Sequence, residues 1–405
     1  MNESFLAKLK NVRLQDVGHI FLFLLALLPA AVLRRRRPHL WLVAETATEA
    51  RDNGYWFFRY LRREQQQVDA VYAIRPDAAE YPKVASLGPT VAFGSFRHWI
   101  YYLAAEVNVS SQKYGKPNAA VCYLLEVVLG VLKNRRVFLQ HGVIKDDLPF
   151  LHWDKSRFWM FCCAAAPEYE FVRDTFGYPP GMVRHVGLCR FDGLHGSGAD
   201  ASLVLIVPTW RMWLERNRGA DARQAFLDSG YYRQWNDLLH SEALDALLER
   251  YGKRAVFCLH RNMQAYETLF TSGSDRIRVM RWQDADIAAL LREAGTLITD
   301  YSSVYMDFAY MEKPLAYFQF DDADYRSGHL PVGYFRYETD GFGPVCRDAE
   351  SLLAAIGEIF DGDCRMADVY RSRVDRFYPL HDDKNSERTY RAILQMLKEE
   401  KSETL

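Results

Sequence analysis

The side chains best suited to chemistry in this chain fall in short stretches that each follow an apolar run. Leu297-Ile298-Thr299 leads directly into Asp300-Tyr301-Ser302-Ser303. A strand that hands two serines to the start of a helix makes an anion cradle. The first-turn N–H groups have no helical partners, the helix dipole favours negative charge, and the hydroxyls add donors. One serine could instead serve only as a helix cap, which would leave Asp300 and the second hydroxyl without a purpose. His260-Arg261 follows the run ending at Leu259, and Thr209-Trp210-Arg211 follows the run ending at Val207. An imidazole and two guanidinium forks at such positions suit a diphosphate. A fourth stretch, His141-Gly142, follows Arg136 to Gln140. Histidine is the side chain readiest to accept a hydroxyl proton near neutral pH, and glycine permits a tight turn beside it. A hydrogen-bonded structural histidine would satisfy the same pattern. Asp146 and Asp147 lie in the same loop and either could orient a base there; spacing does not choose between them.

The elements that must position these stretches read as parallel sheets. From His39 onward, apolar runs of about five residues alternate with helical patterns, as in α/β units whose sheet is covered on both faces. The pattern runs from Leu40 to Gly187, breaks in a stretch rich in glycine and small residues from Gly193 to Asp200, and restarts at Leu203. Single cores stop growing at roughly 250 to 300 residues, so 405 residues with such a break predict two domains. The expected divisions are an apolar and basic segment 1–37, a first α/β domain 38–192, a linker 193–202, a second α/β domain 203–385, and a C-terminal helix and tail 386–405.

Composition narrows the function classes. Hydrophobic residues make up 49% of the chain and charged residues 25%, with a formal net charge of -1. That balance supports folded cores and supplies no general basic field for nucleic acid. The seven cysteines are scattered and odd in number, and no C-x-x-C pair occurs, so they read as reduced core thiols. There is no Walker A sequence, no G-x-G-x-x-G after a strand, and no H-E-x-x-H. No metal ligand set is assigned, although a divalent cation could assist at a diphosphate.

Near the N-terminus, Ile20 to Leu33 reads IFLFLLALLPAAVL and Arg34, Arg35, Arg36 and Arg37 follow at once. The apolar run is shorter than the roughly 20 residues that cross a bilayer, and Pro29 weakens a straight spanning helix. A secretory signal carries its charges before the apolar region, the reverse of this order. The expectation is a segment lying in a membrane surface, with residues such as Phe21 and Leu22 in the apolar layer and the four arginines at anionic headgroups.

Taken in order, these stretches resemble the CDP-glycerol glycerophosphotransferases, the bacterial teichoic-acid primases and polymerases. LITDYSSVYMDF at 297–308 is similar to that family's signature. Ala50-Arg51-Asp52-Asn53-Gly54-Tyr55 resembles its early Asp-Asn motif, Gln140-His141-Gly142 its Trp-His-Gly, Gly187 to Asp192 its Gly-x-Pro-Arg-Asn-Asp, and Pro208-Thr209-Trp210-Arg211 its Pro-Thr-Trp-Arg. The resemblance implies a GT-B-like fold, two Rossmann-like domains facing an interdomain cleft, with the first on the acceptor side and the second holding the nucleotide donor. It implies peripheral attachment at the cytoplasmic face of the bacterial cell membrane. It implies that His141 is the base, that His260, Ser302 and Ser303 handle donor phosphates, and that Arg211, Asp300 and Arg261 assist there. Gly142, Asp146 and Asp147 would lie on the acceptor side. The implied partners are a CDP-polyol donor and a lipid-linked or polymeric polyol-phosphate or glycan acceptor. The reaction is transfer of polyol phosphate, glycerol phosphate first among the candidates, to a hydroxyl with release of CMP, in wall or capsule polymer synthesis. A sugar-nucleotide glycosyltransferase of the same fold and a non-catalytic polymer assembly protein are the competing expectations. The sequence departs from the family pattern at Gln140, at Cys189-Arg190-Phe191-Asp192 and at Ala294-Gly295-Thr296, and these departures are expected near acceptor-facing or hinge regions.

Overall fold

The computed structural model describes residues 14–403, except 197, 217, 218, 220 and 329–331. Residues 1–13 of the expected membrane segment, Ser197 of the expected linker and 404–405 of the tail lie outside them.

Thirteen strands among the described residues form two all-parallel sheets. The first contains β1 (Leu40–Ala44), β2 (Asp69–Ala73), β3 (Thr90–Val91), β4 (Val107–Ser110), β5 (Arg136–Phe138), β6 (Met160–Cys163) and β7 (Val183–His185), in the order β3-β2-β1-β4-β5-β6-β7. The second contains β8 (Asp200–Val207), β9 (Arg254–Cys258), β10 (Ile277–Met280), β11 (Ala294–Thr299), β12 (Leu315–Phe318) and β13 (Val345–Cys346), in the order β10-β9-β8-β11-β12-β13. Each sheet starts in the middle, winds outward one way, then returns and winds the other way. This is the doubly wound Rossmann order, used twice, as the GT-B expectation requires. Strands buried on both faces need apolar side chains at every position, and β1, β6 and β12 are buried throughout. That is why the apolar runs were readable.

The chain divides into two compact units. One is formed by residues 1–143, 148–193 and 382–405, the other by 144–147 and 194–381. The sequence pattern gives no sign that the last helix (Asn385–Glu403) rejoins the first unit. Its Ile393, Met396 and Leu397 are buried in the first unit's core, and the Asp192 carboxylate accepts the backbone N–H groups of Asn385 (2.8 Å) and Ser386 (2.9 Å), capping that helix from another part of the chain. Gly187, at φ +84°, lies so close to Asn385 that a Cβ would fall 1.7 Å from its side-chain oxygen.

The first helix, α1 (Leu14–Arg36), begins well before the apolar run and continues through Pro29. Its stretch 16–36 is long and apolar enough to cross a membrane by length and composition, and so exceeds the apolar run from Ile20 to Leu33. Ala26 and Ala30 are buried, and Phe23 meets Trp99 edge-on. The opposite face leaves Phe21, Leu24, Leu25 and Leu28 exposed, Leu28 by 76%. A helix apolar on every side is either enclosed by protein or by lipid, and here the protein covers only one side. Leu22 is partly buried against the core cluster, and the partly buried Arg37 pairs with Asp69. Arg34 is exposed but donates to the carbonyls of Leu103 and Ala104, while Arg35 and Arg36 are exposed.

Candidate functional site

In an open parallel sheet, a ligand crevice lies beyond the carboxyl ends of the strands where the winding reverses. In the second sheet this point falls between β8 and β11. Pro208 to Arg211 leave β8 there and Asp300 to Ser303 leave β11, while His260-Arg261 leave the neighbouring β9. The three stretches singled out by residue type thus share one sheet edge.

The two loops at the reversal are locked together by a buried ion pair. Arg211 is completely buried, with its guanidinium 2.9 Å from Asp300 and 2.7 Å from Asp321. It also donates to the Thr209 carbonyl at 3.1 Å, and three tyrosine rings (Tyr231, Tyr301 and Tyr325) lie 5.0 to 5.2 Å from it. Asp300 is equally buried and accepts the N–H groups of Thr209 (2.8 Å) and Tyr301 (2.6 Å). Burial raises the Asp300 pKa despite Arg211 and those two N–H groups. For Arg211, burial acts against the charge, but Asp300 and Asp321 more than reverse it and raise its pKa. Both side chains are engaged inside the protein, where they tie the β8 and β11 loops together.

Ser302 is buried and Ser303 exposed. Ser303 precedes the helix Val304–Tyr310 with helical backbone angles, and its side chain makes no capping hydrogen bond. The capping alternative therefore does not use the Ser303 hydroxyl. His260 is half-buried and its Nδ1 accepts the Asn262 N–H at 3.2 Å. An accepting Nδ1 places the proton of a neutral imidazole on Nε2, making that nitrogen a hydrogen-bond donor. Trp210 stacks near the His260 ring, 6.3 Å between centroids and 25° between planes. Arg261 is exposed.

The equivalent position in the first sheet is filled by the protein itself. Glu45 follows β1 and is 1% exposed; its carboxylate accepts the N–H groups of Arg51 (3.0 Å), Asp52 (3.1 Å) and Tyr55 (2.6 Å) at the start of helix α2 (Asn53–Glu64). Burial, with Asp52 nearby, pushes the Glu45 pKa up to about 8. Gly54 makes the close approach feasible, since a Cβ there would fall 2.8 Å from Glu45. Donors that could hold a phosphate at this helix start are already occupied. Sequence reasoning missed Glu45, a single acid in a polar loop with no spacing to distinguish it.

His141 follows β5 in the same unit and is exposed. Gln140, immediately before it, is 1% exposed and held at φ 63°, a left-handed conformation unusual for a residue with a side chain. Its amide reaches the Cys162 carbonyl and Glu168, and its own carbonyl accepts from Asn53 at 2.8 Å. The Asn53 oxygen in turn accepts the Arg190 N–H at 2.9 Å. One Arg190 nitrogen donates both to the His141 carbonyl (3.0 Å) and to Asp52 (2.9 Å). Asp52, Asn53 and Arg190 therefore hold the backbone of the histidine loop, a role not assigned to them from sequence although two quoted motifs contain them. Asp146 pairs with Lys145, and both Asp146 and Asp147 group with the second unit. Gln140, Cys189, Phe191, Ala294 and Thr296 are each at most 1% exposed. The departures from the family pattern are thus core positions, with Ala294-Gly295-Thr296 opening β11 at the sheet edge opposite the site. Among the described residues, no three His, Cys, Asp or Glu side chains gather as a metal site.

The family model for CDP-Glycerol:Poly(glycerophosphate) glycerophosphotransferase matches residues 188–395, just over half of the chain. Minor teichoic acid biosynthesis protein GgaB of Bacillus subtilis is 29% identical over 374 residues, 89% of this chain and 40% of that protein. A teichoic acid poly(glycerol phosphate) polymerase of Bacillus subtilis is 26% identical over 194 residues, 48% of this chain and 24% of that protein. The chain thus spans less than half the length of these curated relatives. The structure of the wall teichoic acid polymerase TagF superposes with a TM-score of 0.63 at 16% identity, covering 98% of this chain and 97% of that one. It establishes a shared fold. The matched segment carries the β8, β9 and β11 loops, and with them the ion pair, His260 and the serines, and on that footing the chain belongs to the CDP-glycerol:poly(glycerophosphate) glycerophosphotransferase family.

Proposed function

We propose that this chain transfers a polyol-phosphate unit, glycerol phosphate in the first instance, from a CDP-linked donor to a hydroxyl of a polymeric or lipid-linked acceptor, releasing CMP in wall or capsule polymer synthesis. The observation that carries this reading is the position of the family signature: Asp300 to Ser303 occupy the winding reversal of the second sheet, whereas Glu45 fills the corresponding place in the first. A nucleotide diphosphate is thereby directed to the second unit.

In this reading, the acceptor hydroxyl attacks the polyol-proximal phosphorus and CMP departs. His141 takes the hydroxyl proton, in a loop held by Arg190, Asp52 and Asn53. Charge builds on phosphoryl oxygens in the transition state, so fixed donors contribute most. Nε2 of His260 and the hydroxyls of Ser302 and Ser303 are the candidates, with Arg261 at the margin. Arg211 and Asp300 act through the loops they join. The outward apolar face of α1, with Arg35 and Arg36 at its end, supports peripheral attachment to the cytoplasmic face of the bacterial membrane.

A donor panel tests the reading. CMP release with CDP-glycerol or another CDP-polyol, dependent on acceptor, is the expected result. UDP or GDP release from a sugar nucleotide would replace it with a glycosyltransferase, and polymer binding without turnover of any donor would replace it with an assembly protein.

A further inference from the structure

A second cationic site lies in the first unit, away from the residues discussed so far. Glu126 sits on a π-helical turn, Leu124–Val128, and its side chain is fully buried. Lys116 and Arg136 both pair with it, Arg136 at 2.9 Å, and the Tyr102 hydroxyl also donates to it. Two cations thus share one carboxylate in the interior, leaving positive charge in excess. π-turns of this kind recur at functional positions.

Lys116 also lines a cavity of about 530 Å³ together with Lys113, Lys155, Tyr114, Tyr123 and Phe150. Among the described lining residues there is no carboxylate; the acids that pair with two of the lysines, Glu126 and Asp154, lie outside the lining. Lys113 is half-buried and donates to the Phe150 carbonyl, a neutral partner. Lys155 pairs with its neighbour Asp154 at the surface, where such a contact contributes little. Burial, then Lys116 and Arg136, push the Lys113 pKa down to about 8, with Asp154 opposing and Lys155 adding to the effect. Three lysines thus line one cavity, Lys116 held by Glu126, Lys155 by Asp154 and Lys113 by a neutral carbonyl; an anion with several acceptor oxygens suits such a lining, and lysine binds phosphate as a point charge. Tyr114 is 63% exposed and Phe150 44% exposed, giving the cavity an aromatic rim on which a polyol chain can lie. One wall is the loop leaving β4. The other belongs to the connection after β5, the same one that begins at His141.

We propose that this cavity is an acceptor subsite that binds a phosphodiester of the growing polymer through Lys113, Lys116 and Lys155. The proposal rests on the transferase reading only for the identity of the polymer. Its test uses the full chain, a soluble glycerol phosphodiester dimer, and phosphatidylcholine vesicles with and without phosphatidylglycerol. Calorimetry should show that the dimer binds the wild type, and that Lys113→Gln with Lys155→Gln weakens binding at least about tenfold, the size expected for losing a charged hydrogen bond. Near pH 8 the Lys113 amine is about half protonated, so an entering phosphate should draw in protons, seen as a dependence of the heat on buffer ionisation. The double variant should lose that dependence, with its melting temperature as the folding control. Absence of dimer binding to the wild type, or equal affinity in both proteins, overturns the proposal. A loss confined to the anionic vesicles also overturns it, because the ligand would then be a lipid headgroup. If the wild type consumes no CDP-polyol while the variant still loses the dimer, the transferase reading fails and the phosphate site stands.

Discussion

Replacing Arg211 by methionine separates a scaffold from a donor contact. The guanidinium is completely buried between Asp300 and Asp321. Methionine fills much of its volume but leaves the Asp300 carboxylate in the interior without a cation. Breaking a buried pair in this way costs about 3–5 kcal/mol. In a unit of this size, 1 kcal/mol moves Tm by about 2–4 °C, so R211M should melt roughly 6–20 °C lower. The pH dependence has a definite sign. Asp300 titrates above its ordinary value in the folded state, so its contribution weakens as pH rises through that folded value. Without Arg211 the folded value climbs further, and the stability deficit of R211M against wild type should be largest near neutral pH and shrink on acidification. Adding Asp300→Asn removes the stranded charge while keeping an oxygen for the Thr209 and Tyr301 N–H groups, and should recover part of the loss. Differential scanning calorimetry of the three proteins across pH measures each quantity. An R211M protein that melts with wild type but binds CDP-glycerol much more weakly would refute this reasoning and return Arg211 to the donor phosphates.

Three other outcomes are expected. His141→Asn should slow single-turnover transfer by roughly 10²–10⁴-fold with donor affinity retained; transfer at the wild-type rate would move the base elsewhere, with Asp146 and Asp147 the first alternatives. Ser302→Ala with Ser303→Ala should weaken donor use, and since Ser303 makes no capping bond, its share of stability loss should stay below the roughly 1 kcal/mol typical of a cap; normal donor turnover would remove the pair from the mechanism. Lysine at Leu25 and Leu28 should reduce co-sedimentation with vesicles while leaving Tm nearly unchanged, because both side chains already face outward; unchanged sedimentation would argue against lipid contact by α1.

Much of the fold was legible because a parallel sheet covered on both faces demands unbroken apolar strands, and residues at strand ends inherit their position from topology. Residue type therefore placed Ser302, Ser303 and His260 on one edge. It could not show that Arg211 faces inward. That depends on Asp321, 110 residues away, and on three tyrosines brought in by folding. Glu45 was invisible for a related reason: its burial follows from the first turn of α2 folding over it. The apolar run at Ile20 understated α1, since helix continuity is set by backbone bonding and by packing on Trp99, and does not require every residue to be apolar. The return of the C-terminal helix uses the capping carboxylate of Asp192 and the burial of Ile393, Met396 and Leu397 in the first unit's core, contacts that local pattern does not reveal.

Transfer of glycerol phosphate, as opposed to glycerol alone, is decided by which bond of the donor breaks. CDP-glycerol labelled with ¹⁸O in the bridge between glycerol and its phosphorus, and with ³²P at that phosphorus, is incubated with the chain and an acceptor. Both labels should enter the polymer together, one CMP being released for each glycerol phosphate added. Release of labelled CDP, with glycerol alone transferred, would contradict it.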